Sequence, residues 1–382
     1  MSIRQQPRNS TQRVSVLMTV RNGERFLAES LDSILNQTFT DFELIVVNDG
    51  STDGTADILE CYASKDGRVC VLSIPASGLP LALQAGSALL RGELVARMDA
   101  DDIALPDRLA RQVAFLDSHT EIAMVGGAIS IISEDGRRLG GQRFPTDPGE
   151  IAVALRKASC FSQSTVMLRR RAYESVGGYR TAFPVSEDYD LWVRLAESFP
   201  LANLPVELIR YRFHTAQISG QKLVDECICA AGVRLSGRLR RDGVYDIFSD
   251  ASHQVTLHSL LAMGVTEREI HEDIARAYLG RLGALSNIKV RGSQLTLVTE
   301  SDAFISSHAH LTPWRLDLYT LSAKILWRQG HPLGALRFAG RAILADPDSL
   351  IRRIARRFAR LIPRPSIGEK LSEKLGARQG AE

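Results

Sequence analysis

The chain has 382 residues, 45% of them hydrophobic and 24% charged, with a formal net charge of +3. That length suits two domains, and that composition excludes disordered, collagen-like and coiled-coil chains. No apolar run approaches the ~20 residues of a membrane span, and the polar start over residues 1–13 lacks the apolar centre of an export leader.

The five cysteines are odd in number and contain no CxxC pair, which argues for a reducing compartment and against a disulfide framework or a zinc site. A cytoplasmic location is expected. The small net charge hides an asymmetry: residues 1–220 carry 23 Lys and Arg against 27 Asp and Glu, whereas residues 221–382 carry 24 against 17.

After a polar tail over residues 1–12, strand-like and helical patterns alternate. Val14–Val20 reads as a buried strand. Asn22 is the expected N-cap of a helix whose apolar face is Leu27, Leu31, Ile34 and Leu35. A second strand, Phe42–Val47, runs into Asn48-Asp49-Gly50-Ser51-Thr52-Asp53-Gly54. Val69–Ile74 is a third strand, Pro80–Leu90 a helix, and Leu94–Met98 a fourth strand ending in Asp99-Ala100-Asp101-Asp102. Such alternation predicts an α/β fold with a mainly parallel sheet and flanking helices, and ligands bind such sheets at the carboxyl ends of the strands. The polar clusters fall there.

Further strands are expected over Ile122–Ile132, Ser164–Leu168 and Leu201–Phe213, and helices over Arg169–Val176 and Tyr189–Glu197. Past about Gly220 strand signals vanish, so residues 221–382 read as a mostly α-helical region. Within it, residues 314–345 resemble one helical pair of a tetratricopeptide-like repeat. Residues 349–362 form a basic amphipathic pattern, with Leu350, Ile351, Ile354 and Phe358 opposite Arg352, Arg353, Arg356 and Arg357. Such a helix suits peripheral contact with an anionic membrane, or packing on the preceding pair. One aromatic residue in the basic stretch, on the apolar face, speaks against a nucleic-acid partner.

Three acids in four residues at a strand end repel one another unless a cation or hydrogen-bond donors are near. Asp99 and Asp101 are therefore candidate ligands of Mn²⁺ or Mg²⁺ on a diphosphate, with His214 as a third; a solvated acidic turn, with Asp102 capping the next helix, is the plain alternative. Asp49 and Gly50 suit a nucleobase or ribose, or simply a turn. Glu187-Asp188 opens a helix, where a carboxylate serves as a cap or as a general base. No P-loop, GxGxxG fingerprint or GxSxG elbow is present.

Taken in order, Val14–Glu24, Leu31–Phe39, Glu43–Thr55, Asp99-Ala100-Asp101-Asp102, Val176-Gly177-Gly178-Tyr179 and Glu187–Trp192 resemble inverting family 2 glycosyltransferases over roughly residues 13–220. The resemblance implies a GT-A type, Rossmann-like catalytic domain that moves a sugar from a nucleoside-diphosphate sugar to a glycan, lipid-linked sugar or protein acceptor, as in polysaccharide biosynthesis. It implies that Thr19, Val20, Asn22, Asp49 and Gly50 hold the donor nucleotide and that Asp99 contacts ribose or sugar. Asp101, with Asp99 and His214, would hold the metal, and Asp188, beside Glu187, would be the general base. Arg21 and Gln163 depart from the family pattern. A nucleotidyltransferase would want a basic triphosphate loop near the first strand, where only Arg21 stands; a non-catalytic binding module would not need Asp101 and Asp188.

Overall fold

The computed structural model describes residues 2–4, 12–214, 222–285 and 293–346. Two compact units are present, one ending at Ile270 and the other beginning at His271. The change in charge and periodicity near residue 220 falls short of that division, because the helix that follows packs with the first unit.

The first unit is built on a ten-stranded sheet. In chain order its strands are β1 (Ser2–Arg4), β2 (Val14–Val20), β3 (Phe42–Asp49), β4 (Val69–Ile74), β5 (Leu94–Asp99), β6 (Ile103–Ala104), β7 (Met124–Ile132), β8 (Arg138–Gln142), β9 (Met167–Arg169) and β10 (Leu201–Arg212). Strands β2 and β3 are near-continuous apolar runs rather than alternating ones, because helices cover both faces of the sheet. Val16, Met18, Leu44 and Val46 join Leu27, Leu31 and Ile34 of α1 (Leu27–Leu35) in a fully enclosed core. The helices α2 (Thr55–Lys65), α3 (Leu79–Ser87), α4 (Arg108–Ser118), α5 (Pro148–Leu155), α6 (Arg170–Ser175) and α7 (Glu187–Ser198) connect the strands.

The sheet order is β1-β4-β3-β2-β5-β9-β7-β10-β6, with β8 on β7. Strands β4, β3, β2 and β5 run parallel, as do β7 and β10, but β9 is antiparallel to both β5 and β7. The sheet is thus mixed, with one short reversed strand joining two parallel groups. The chain order reverses at β2, between β3 and β5, and that crevice is where open α/β sheets bind ligands.

Three local expectations change. Helix α1 begins at Leu27, so Asn22 does not cap it. Instead Asn22 adopts φ 52°, accepts from the Thr52 N–H at 2.8 Å and donates its own N–H to Ser51 Oγ at 2.9 Å. This ties the loop after β2 to the loop after β3. Asp102 caps no helix either, because α4 starts beyond Asp107. The strand expected from Ser164 is a 3-10 turn over Gln163–Thr165, held by Thr165 Oγ1 donating to the Ser162 carbonyl at 2.7 Å, and only Met167–Arg169 is extended.

After β10 come α8 (Leu223–Arg241) and α9 (Leu257–Ala262). Helix α8 lies on α7, where Arg240 Nε meets Glu197 at 2.7 Å and Gly237 sits close to Val193. The second unit holds most of α10 (Glu267–Leu285), then α11 (Ser293–Ser307), α12 (Arg315–Arg328) and α13 (Pro332–Ala345). Its core gathers Val298, Ile305, Leu318, Ile325, Ala335 and Ala342. The helical pair expected over 314–345 corresponds to α12 and α13; the amphipathic pattern at 349–362 lies outside the described residues.

Candidate active site

A cleft of about 460 Å³ opens where β2 and β5 end, lined by Thr19, Val20, Asn22, Asp99, Asp101, Glu187, Asp188 and His214 among others. A second hollow of about 430 Å³ shares Thr19 and Val20 with it and adds Asp49, Ser77 and Gly78. Nearly every site residue expected from sequence therefore faces one of two adjoining spaces. Gly50 does not. Its φ of 63° and its close approach are made to the Ala76 backbone, 2.4 Å from where a Cβ would stand, so it serves the turn rather than the cleft.

Asp49 is 4% exposed, and both of its oxygens are engaged. Oδ1 accepts from the Ser77 N–H at 2.7 Å and from Ser77 Oγ at 2.9 Å, and Oδ2 accepts from the Gly78 N–H at 3.0 Å. The carboxylate thus shapes the turn before α3 that forms one wall of the second hollow.

The acidic loop rests on a buried cationic floor. Arg97, fully enclosed within β5, donates Nη2 to Asp99 Oδ1 at 2.9 Å. Ser164 Oγ donates to Asp99 Oδ2 at 2.8 Å. Burial raises the Asp99 carboxyl above its ordinary value and Arg97 opposes the rise. Arg108 lies fully buried beside it, donating to the Arg97 carbonyl at 2.6 Å; burial pushes that guanidinium down to about 9. Asp102 is buried too, with Oδ1 accepting from the Arg212 N–H at 2.9 Å; burial, then Asp101 and Asp99, drive its carboxyl well above the usual range. The Arg212 side chain donates to the Asp101 carbonyl at 2.9 Å and to the Glu134 carbonyl at 2.8 Å, fixing the loop from outside.

Asp99 and Asp101 both line the cleft, and Asp101 Oδ2 lies 2.8 Å from His214 Nε2. That pair offers one oxygen and one nitrogen ligand, which suits a hard or borderline divalent ion whose other positions are filled by phosphate and water. Among the described residues no group of three His, Cys, Asp or Glu side chains is arranged around an ion. Asp99 faces the same cleft, with one oxygen bonded to Arg97 and the other to Ser164.

Glu187 and Asp188 begin α7 after Ser186, whose φ is 62°. Asp188 Oδ1 accepts from the Tyr189 N–H at 2.6 Å, so the helix start orients it. Burial first, and then the Asp188 charge, push the Glu187 carboxyl up to about 8, while burial pushes Asp188 up to about 6. Environments that separate two neighbouring acids in this way leave one protonated and the other ionised near neutral pH.

The rest of α7 is anchored from below. Asp190, fully buried, receives Arg180 Nε at 2.9 Å and Arg194 Nη2 at 2.8 Å. Arg194 also donates to the Gly178 carbonyl at 2.6 Å, and Arg180 reaches Asp246 at 2.8 Å. Tyr189 Oη donates to the Leu155 carbonyl at 2.7 Å. Gly178 and Asp190 of the two motifs, joined by Arg194 and with Arg180 on Asp190, are thus one support for the two acids.

Sequence reasoning missed Arg97, Ser164, Arg212, Lys222 and Glu226. A signal existed only for Arg97, a charge inside an otherwise apolar strand. Gln163, noted only as a departure, lines the cleft with its amide end against Arg97; assigned by that partner, its oxygen accepts from Nη2 at 2.9 Å and Nε at 3.1 Å. Glu226 lines the cleft and Lys222 the second hollow; both follow the expected domain end at residue 220.

This geometry is that of a ligand-binding cleft built at the switch point of an α/β sheet. The chain matches the family described as glycosyl transferase family 2 over residues 15–177. It is 38% identical over 209 residues to the putative glycosyltransferase EpsE of Bacillus subtilis (strain 168), covering 53% of this chain and 74% of the relative. It is 35% identical over 205 residues to the O-antigen biosynthesis glycosyltransferase WbnJ of Escherichia coli, covering 53% of this chain and 80% of the relative. The chain therefore belongs to glycosyltransferase family 2 and is a glycosyltransferase. The S. aureus TarS 1–349 structure in complex with UDP-GlcNAc shares the fold, at a TM-score of 0.50 and 18% identity, over 83% of this chain and 92% of that one.

Proposed function

We propose that the enzyme moves a sugar from a nucleoside-diphosphate sugar to an acceptor hydroxyl in one inverting displacement, in the assembly of a polysaccharide or other surface glycan. The observation that carries this reading is the placement of Glu187 and Asp188 in the same cleft as the Asp101–His214 pair. The UDP-GlcNAc bound to the TarS structure supports a nucleotide-sugar donor. The O-antigen and amylovoran biosynthesis named for relatives in Escherichia coli and Erwinia amylovora supports a glycan product.

Thr19, Val20 and the turn shaped by Asp49 would receive the nucleotide. Ionised Asp188 would take the proton of the acceptor hydroxyl as that oxygen attacks the anomeric carbon from the face opposite the leaving group. Glu187, neutral at the same pH, would keep the Asp188 charge from being duplicated beside it. Asp101 and His214 would hold Mn²⁺ or Mg²⁺, which when bound stabilises charge on the departing diphosphate. The acceptor is a hydroxyl of a glycan, a lipid-linked sugar or a protein. Residues 13–220 with α8 would form the catalytic part, working on the cytoplasmic side.

The deciding experiment incubates the protein with a panel of nucleoside-diphosphate sugars and Mn²⁺, with and without EDTA, and follows nucleoside diphosphate release and product anomeric configuration. Release abolished by EDTA, with an inverted product, is expected. A retained configuration, or pyrophosphate released from a nucleoside triphosphate instead, would overturn the reading.

A further inference from the structure

We infer that Arg21 holds the diphosphate of the donor by a contact that does not need the metal; this rests on the nucleotide-sugar reading above. The cleft and the second hollow have Thr19, Val20, Arg21, Leu79 and Val185 in common, and of these Arg21 alone is charged. With the nucleotide in the second hollow and the sugar beside Asp188, the two phosphates between them cross this shared strip. Asp99, Asp101, Glu187, Asp188 and Glu226 also line the cleft, and Arg21 is the one Lys or Arg among its described lining residues. An anionic ligand entering so acidic a space needs fixed cations there.

Other cations around the site are committed within the protein. Arg97 is bound to Asp99, Arg212 to Glu29 and Arg25 to Glu134. Lys222 lines the second hollow and not the cleft. Arg21 is exposed, and among the described residues its guanidinium has no hydrogen bond or ion pair. The backbone that carries it is nevertheless held on both sides. Val20 ends β2, and the Asn22 and Gly23 N–H groups donate to Ser51 Oγ at 2.9 Å and to Thr55 Oγ1 at 2.8 Å. A side chain rising from a fixed strand end loses less freedom when a ligand orders it. Its guanidinium offers phosphate oxygens a planar fork of donors, which the uncharged residue of the family pattern would lack.

The test titrates the full-length protein, in EDTA, with UDP, GDP, ADP, CDP and dTDP and with the matching nucleosides. One diphosphate should bind more tightly than its nucleoside. Arg21→Gln should weaken that diphosphate about 10–100-fold, as for a lost charge-assisted hydrogen bond, with nucleoside affinity unchanged. Arg21→Lys, which keeps the charge without the fork, should fall between the two. Added KCl should weaken diphosphate binding by wild type more than by Arg21→Gln. Melting temperature should stay the same, because the side chain bonds to nothing in the described fold. Equal diphosphate binding by wild type and Arg21→Gln overturns the inference and leaves the nucleotide-sugar reading standing. Equal losses for diphosphate and nucleoside overturn it too, since the guanidinium then serves the base. Wild-type binding that appears only with Mn²⁺ overturns it as well, since the metal then supplies the whole hold. If no diphosphate binds the wild type with or without Mn²⁺, the nucleotide-sugar reading falls and the inference falls with it.

Discussion

Replacing Glu187 by glutamine separates the roles of the two acids at the start of α7. In the folded protein the Glu187 carboxyl is pushed from 4.5 up to about 8, and that of Asp188 from 3.8 up to about 6, burial being the largest cause for both. At neutral pH the pair therefore holds one proton, mainly on Glu187, and one charge, mainly on Asp188. Glutamine resembles the neutral acid, so transfer by Glu187→Gln at that pH should stay within about tenfold of wild type.

Stability gives a second readout with a definite sign. The unfolded chain releases the Glu187 proton near 4.5 and the folded chain only near 8, so stability falls as pH climbs through that window. At 1.36 kcal/mol per unit the loss is roughly 5 kcal/mol, and the glutamine variant escapes it. Urea unfolding of both proteins across the window should show them nearly equal at its acid end and the variant more stable at its alkaline end. Parallel pH profiles would refute the raised carboxyl. A loss of transfer as severe as that of an Asp188 variant would make Glu187 the proton acceptor and refute the division of roles.

Asp188→Asn should lower the transfer rate by about 10²–10⁴ while calorimetry shows donor binding unchanged, as for a lost general base. Asp101→Ala should weaken donor binding in the presence of Mn²⁺ and leave metal-free binding as it was; identical titrations would remove Asp101 from the metal. Asp190→Asn strips the shared carboxylate from Arg180 and Arg194 and should cost about 3–5 kcal/mol in urea unfolding. Those two guanidinium groups, against the opposing effect of burial, hold the Asp190 carboxyl below its ordinary value. Its stabilisation is present above the normal carboxylate range and lost as pH falls, so the variant should flatten the acid limb of the stability curve.

Short-range pattern was enough to read several things from the chain alone. Apolar runs at Val14–Val20 and Phe42–Val47 became central strands because nothing in them competes with burial on both faces. The ends of those strands placed Thr19, Asp49, Asp99 and Asp101 around the switch point, because in a parallel sheet all carboxyl ends lie on one side. Order and spacing of short motifs carried the family.

What required the fold was every relation across long sequence distance. Asp101 meets His214 and Asp102 meets Arg212 only because β10 returns beside β6 and β7. Asn22 was read as a cap, since local pattern cannot reveal that its partners are Ser51 and Thr52 on another loop. Which of two adjacent acids keeps its proton also waited on the tertiary structure. Glu187 and Asp188 are neighbours in the chain, but burial among the elements packed around the start of α7 raises both, the Asp188 charge raises Glu187 further, and the Tyr189 N–H holds Asp188 down.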